Sequence, residues 1–212
     1  GLTFGASIDL DDALEEATTA AGARGTGTVN VTNDNPDFTV FISGAFGSLT
    51  LGDTNGALDW AMQEVDTAGN PGSLNDAQTD HAGLYNDYLD GNGSGNGQIL
   101  RYDNSFGDLG VAVSLEQGPD ATANLDTGYA VGLTYDLAFA GGSVLIGGGY
   151  QQSVQVSGSG TSALGVSAAL AMDSGFEATL GFTNVDIDAG NDFTAAGLGL
   201  GYAFGPFSVH AN

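Results

Sequence analysis

QILRYDNSFGDLGVAVSLEQ, residues 98–117, reads as two strands and the turn between them. On its first half Leu100, Tyr102 and Phe106 share one side, and Arg101 and Asp103 share the other. On its second half Leu109, Val111, Val113 and Leu115 alternate with Gly110, Ala112, Ser114 and Glu116. A period of two places successive side chains on opposite faces of a strand. Between the halves, Phe106-Gly107-Asp108 has the composition of a tight turn. One face is apolar, and the other is small, polar and occasionally charged.

The same unit recurs on both sides of this stretch. Candidate strands lie at 1–10, 38–46, 49–54, 127–139, 142–155, 163–172, 176–187, 192–204 and 207–212. With 98–106 and 109–117 they make eleven, and no long helix competes with them. Tight turns are expected at Phe46-Gly47-Ser48, Ala140-Gly141, Asp173-Ser174-Gly175 and Gly205-Pro206. Those near 107, 140, 174 and 205 are 33, 34 and 31 residues apart, and longer polar loops fall between them. All short turns therefore sit at one end of the sheet and all long loops at the other. Transmembrane β-barrels have that asymmetry, and their strands of ~9–11 residues suit these segments better than the ~5–6 usual in soluble sheets. Phe46, Phe106, Phe139 and Phe204 stand beside four of the turns, where an aromatic girdle would meet the membrane interface. The expected fold is an all-β, up-and-down, antiparallel transmembrane barrel, in a single domain over residues 1–212.

Composition removes several other classes. The 212 residues carry 2 basic and 26 acidic side chains, a net charge of −24, and no cysteine. Disulfide frameworks and thiolate metal sites are excluded, and a basic nucleic-acid face cannot be built from Arg24 and Arg101 alone. At 42% apolar residues, arranged in alternating runs, the chain does not read as disordered. No apolar run is long enough for a transmembrane helix. The chain opens and stops on strand patterns with no visible leader, which suggests a piece lacking flanking strands. The segment DDALEEATTAA (11–21) would make a short helix at most.

Residues 55–97 form the one very long connection. It carries Asp59, Glu64, Asp66, Asp76, Asp80, Asp87 and Asp90 and no basic residue. Connections of this length are functional or disordered. Leu58, Trp60, Met62 and Val65 give this one apolar surface to pack with, and GALDWAMQEV (56–65) would make a short helix. A loop folded into a pore, narrowing it with carboxylates, fits both features better than the alternative, an outer lid that packs on neighbours. Arg101 falls on the lumen-side face, as a partner of that loop or of Asp103. Asp186, Asp188 and Asp192 are spaced like calcium ligands, but position twelve of that register is Gly197 and position six is Asn191, so no EF-hand forms and only adventitious Ca2+ binding is expected. With His81 and His210 as the only histidines and no G-x-S-x-G elbow, no catalytic constellation is legible, and no enzyme activity or cofactor is expected.

TVFISGAFGSLTLGDTNGA (39–57) resembles the segment leading into the third loop of general-diffusion porins of the Gram-negative outer membrane, closest to their alphaproteobacterial branch. GLTFGASIDL (1–10) resembles that family's second strand, and QILRYDNSFGDLGVAVSLEQG (98–118) the strand pair after its third loop. In order and spacing the match covers residues 1–138, and beyond them the hairpin pattern alone agrees. The resemblance implies a sixteen-stranded barrel in the full protein, about eleven strands of it here. It implies a homotrimer in outer-membrane lipid that passes small hydrophilic solutes and ions by passive diffusion. The constriction set carried over is Asp59, Glu64, Asp66, Asp76 and Asp80, with Arg101 on the wall. The acidic balance adds a bias toward cations. No basic cluster faces the loop in this sequence, unlike the family pattern. The reading from a different class is a secreted acidic β-rich adhesin or calcium-dependent surface module.

Overall fold

The computed structural model describes residues 1–8, 38–52, 54–65, 98–117, 128–154, 160–188 and 190–212. Eleven strands form one sheet: β1 (Thr3–Ile8), β2 (Phe38–Gly44), β3 (Gly47–Gly52), β4 (Gln98–Phe106), β5 (Leu109–Gln117), β6 (Gly128–Phe139), β7 (Gly142–Val154), β8 (Gly160–Met172), β9 (Phe176–Ile187), β10 (Phe193–Phe204) and β11 (Phe207–Ala211). Each pairs antiparallel with its neighbours in sequence, so the order is an unbroken up-and-down meander. Among the described residues β1 and β11 do not pair with each other, and the sheet is open. Among the described residues one short helix, α1 (Ala57–Ala61), lies between β3 and β4 in sequence. The segment 11–21 falls outside the described residues.

The hairpin turns follow from glycine placement. Gly107 and Gly141 hold φ of 66° and 98°, values that cost a residue with a Cβ but not glycine. The first hairpin differs from expectation: the turn is Ala45-Phe46, and β3 already begins at Gly47. Its neighbour β4 holds it there. The Phe46 carbonyl accepts hydrogen bonds from the Tyr102 hydroxyl at 2.5 Å and from Asn104 Nδ2 at 3.3 Å.

Register divides the sheet into two unlike faces. On one, Leu100, Tyr102, Val113, Val131, Leu133, Ile146, Val166, Leu180, Leu198 and Leu200 continue from strand to strand, and most of them are exposed. A contiguous apolar face of this extent marks contact with lipid or another apolar surface. On the other face the side chains are small. One lateral row reads Ala112, Gly132, Gly149, Gly165, Thr183, Ala195 from β5 to β10. The next row toward the tight turns reads Gly110, Thr134, Gly147, Ser167, Gly181, Gly197.

The buried apolar cluster of the described residues lies on this small-residue face. Ala57, Leu58 and Met62 pack there with Ile99, Ala112, Ala130, Ala163 and Val185, and Trp60 and Ile187 flank them. A five-residue helix has no stability of its own in water. Here the wall holds it, since fully burying a side chain such as Leu58 contributes about 1.5–3 kcal/mol.

Candidate functional site

The site is built where β3 gives way to α1. After Gly52 the chain turns back over the small-residue face and runs across the strands rather than along them. Ala57 N–H donates to Ser114 Oγ on β5 at 2.9 Å. A Cβ on Gly132 of β6 would overlap the Ala57 carbonyl, and one on Gly147 of β7 would overlap the Ala61 carbonyl. Gln63 N–H donates to Ser167 Oγ on β8 at 2.8 Å. Val65 reaches Gly197 of β10. Wall glycines thus let the segment's backbone lie directly on the sheet.

The sequence predicts a helix over 56–65, and in the structure it ends at Ala61. Met62 is extended, at φ −76° and ψ 149°. Two causes are visible. The Ser167 hydroxyl takes the Gln63 N–H out of any helical ladder. An extended chain also gains about 3.3 Å per residue against 1.5 Å for a helix, so four residues reach from β7 to β10.

Ala57, Leu58, Ala61, Met62 and Val65 turn to the wall and are buried. Asp59 and Glu64 are only half-buried and carry contacts of their own. Asp66, Asp76 and Asp80 fall outside the described residues. Arg101 lies on the same face, paired in register with Thr50 and Ser114. Its Nε donates to Asp103 Oδ1 at 3.2 Å, and its Nη1 to the Asn55 carbonyl at 2.7 Å and Thr54 Oγ1 at 3.3 Å. It therefore meets both of the partners that the sequence suggests for it.

Phe106, Phe139 and Phe204 end their strands beside tight turns, Phe46 sits inside one, and all four rings are exposed. Tyr202, Phe204 and Phe207 continue that belt, with ring centroids 5.8 Å apart in each successive pair. Sequence reasoning missed a second belt at the long-loop end of the apolar face. There Tyr129 and Tyr150 lie 6.3 Å apart and both donate to Gln152 Oε1, at 2.8 and 3.1 Å. Tyr129 and Phe139 bound β6 ten residues apart. At about 3.3 Å per residue and a tilt near 40°, that separation projects to about 25 Å, the height of an outer-membrane apolar band.

Also missed were Ile99, Val185 and Ile187, apolar side chains on the small-residue face that receive the segment. The signal was a break in alternation. Ile99 and Leu100 are adjacent, and in FTNVDI the apolar phase changes between Phe182 and Val185.

Asp188 Oδ2 accepts from Gly160 N–H at 2.8 Å, and Asp192 Oδ1 from Ile187 N–H at 3.0 Å. Asp186 lies on β9 in register with Ser162. Asp188 and Asp192 thus hold the two ends of loops that flank β8 and β9. Among the described residues no three His, Asp or Glu side chains come together to hold a metal ion.

No curated protein and no solved structure matches this chain. A family model of Gram-negative porins matches it over residues 1–212. An up-and-down meander of eleven strands among the described residues, with one exposed apolar face and one face of small and polar side chains, agrees with such a barrel wall. The chain belongs to the Gram-negative porin family, whose members are β-barrel channels of the bacterial outer membrane.

Proposed function

We propose that this porin forms a water-filled pore for passive diffusion of small hydrophilic solutes and ions, biased toward cations, and that it works as a homotrimer. The observation that carries the reading is the segment from Asn55 to Val65. It lies on the small-residue face, which this reading takes as the lumen side, and it carries Asp59 and Glu64, both half-buried and with contacts of their own. Two carboxylates at a narrow point attract cations and repel anions, because a permeating ion passes within a Debye length of about 8 Å at physiological salt. Diffusion down a gradient needs neither cofactor nor catalytic step. Asp66, Asp76 and Asp80 complete the proposed constriction, and Ca2+ at Asp186, Asp188 and Asp192 plays no part in it.

The test is electrical. The full-length protein, reconstituted in planar bilayers under a salt gradient, should show a reversal potential on the cation-selective side. D59N with E64Q should move it toward zero. Neutralising Asp11, Asp12, Glu15 and Glu16 should move it less. A larger effect from those four, or an anion-selective wild type, would refute the assignment of the constriction.

A further inference from the structure

Three wall side chains hold main-chain or root atoms of the same short segment, and they stand on three different strands. Arg101 of β4 donates to the Asn55 carbonyl and the Thr54 hydroxyl. Ser114 of β5 accepts from Ala57 N–H, and Ser167 of β8 accepts from Gln63 N–H. Arg101 and Ser114 face each other in register, so the first two points are adjacent on the wall. Ser167 lies in the row of Thr134 and Gly147, one step nearer the tight turns than the Gly132–Gly149 row. The three points lie off a single line, so together they fix both the position and the direction of the segment.

Each bond also matters for a separate reason. Ala57 opens the helix, and a helix N-terminus leaves backbone donors without intrahelical partners. The N-cap residue, Gly56, has no side chain with which to cap it. Ser114 supplies an acceptor for Ala57 N–H from the wall, and at 2% exposure it has little access to water. Ser167, at 5% exposure, does the same where the helix has ended. Buried hydroxyls of this kind cost free energy when their partner is removed. Arg101 is held on the other side by Asp103, and their side chains are 13% and 22% exposed. From the lumen this pair acts as a dipole, and its field falls away faster than that of a lone cation.

We propose that Arg101, Ser114 and Ser167 form a three-point latch that fixes residues 54–63 on the barrel wall and so sets the bore of the pore, with Arg101 acting as a positioning residue rather than as a charge felt by passing ions. The proposal rests on the pore reading above for its effect on conduction, but not for the latch itself.

The experiment uses the full-length protein with S114A, S167A, R101M and R101K, and S143A as a control on the same face without a contact to the segment. Two readouts are taken: amide exchange at Ala57 and Gln63, and single-channel conductance with ion selectivity in planar bilayers. Heat-modifiable migration on gels checks that each barrel is folded. A latch predicts that S114A and S167A, which change no charge, speed exchange at their partner amides about fivefold to tenfold, the loss expected of one hydrogen bond. It predicts that both replace the single conductance level by a spread of levels, that R101M does the same, and that S143A does neither. If R101M shifts selectivity alone, R101K restores it, and both serine variants match wild type, Arg101 is a lumen charge and the latch is refuted. A wild type that forms no channels refutes the pore reading, while the exchange arm still decides the latch.

Discussion

Leu58 and Gly147 hold the same segment from opposite sides, one on the segment and one on the wall. Leu58 is fully buried against the wall, and Gly147 is the bare patch of wall that lets the Ala61 carbonyl approach. Shortening the first leaves a hole, and enlarging the second pushes the backbone away. Leu58→Ala should weaken the docking of the segment by about 2–5 kcal/mol. Gly147→Ala should cost about 1–3 kcal/mol, because the obstructing atom is a backbone oxygen and cannot rotate aside. Both should raise protease cleavage and amide exchange within residues 56–65 while leaving the barrel's heat-modifiable migration unchanged. Leu133→Ala, on the outer face, should leave the segment as protected as in wild type. Equal protection in all three variants would mean that the segment is held elsewhere.

At the scale of elements, strand alternation alone makes the sheet legible in the sequence. Leu100, Tyr102, Val113, Leu133 and Tyr135 share one face, and Arg101, Ser114, Glu116 and Thr134 the other, as the period of two requires. Boundaries are less legible where a neighbour decides them. Phe46 sits in its turn because Tyr102 and Asn104 of β4 bind its carbonyl, a contact across more than fifty residues. The end of α1 is set by Ser167, more than a hundred residues away. Ile99 and Val185 break the alternation because they face protein rather than open lumen, which a rule for empty pores does not anticipate. The outer face itself gives a depth-dependent expectation. Leu133 is mid-way between the Tyr129 and Phe139 belts. Leu133→Arg should destabilise folding into lipid vesicles by about 2–4 kcal/mol, and Phe139→Arg by about 0–1 kcal/mol from its charge. Equal costs in denaturant titrations would show that the belts do not mark the edges of the lipid band.

For the whole molecule the governing quantities are a sheet that is eleven-stranded and open among the described residues, and a net charge of −24. A wall in lipid leaves no backbone edge unpaired, so the outer edges of β1 and β11 must both be paired in the working channel. Inside such a wall the low-dielectric surroundings strengthen the field of its carboxylates. The neutralising bases are few, since Arg101 is already engaged by Asp103. Two contributions to selectivity then separate by range. Acids at the mouths and along the lumen act over the Debye length, which is about 30 Å at 0.01 M salt and about 3 Å at 1 M. Asp59 and Glu64, if they border the narrow point, act at distances that even concentrated salt does not fully screen. The reversal potential for a fixed tenfold KCl gradient should therefore be strongly cation-selective when both solutions are dilute, and should fall as they are concentrated together. It should level off above zero rather than vanish. D59N with E64Q should remove that residual value at high salt while leaving much of the dilute-salt preference in place. A wild-type potential that falls to zero at 1 M would assign the preference to distant charge alone, and Asp59 and Glu64 would then not border the path of the ion.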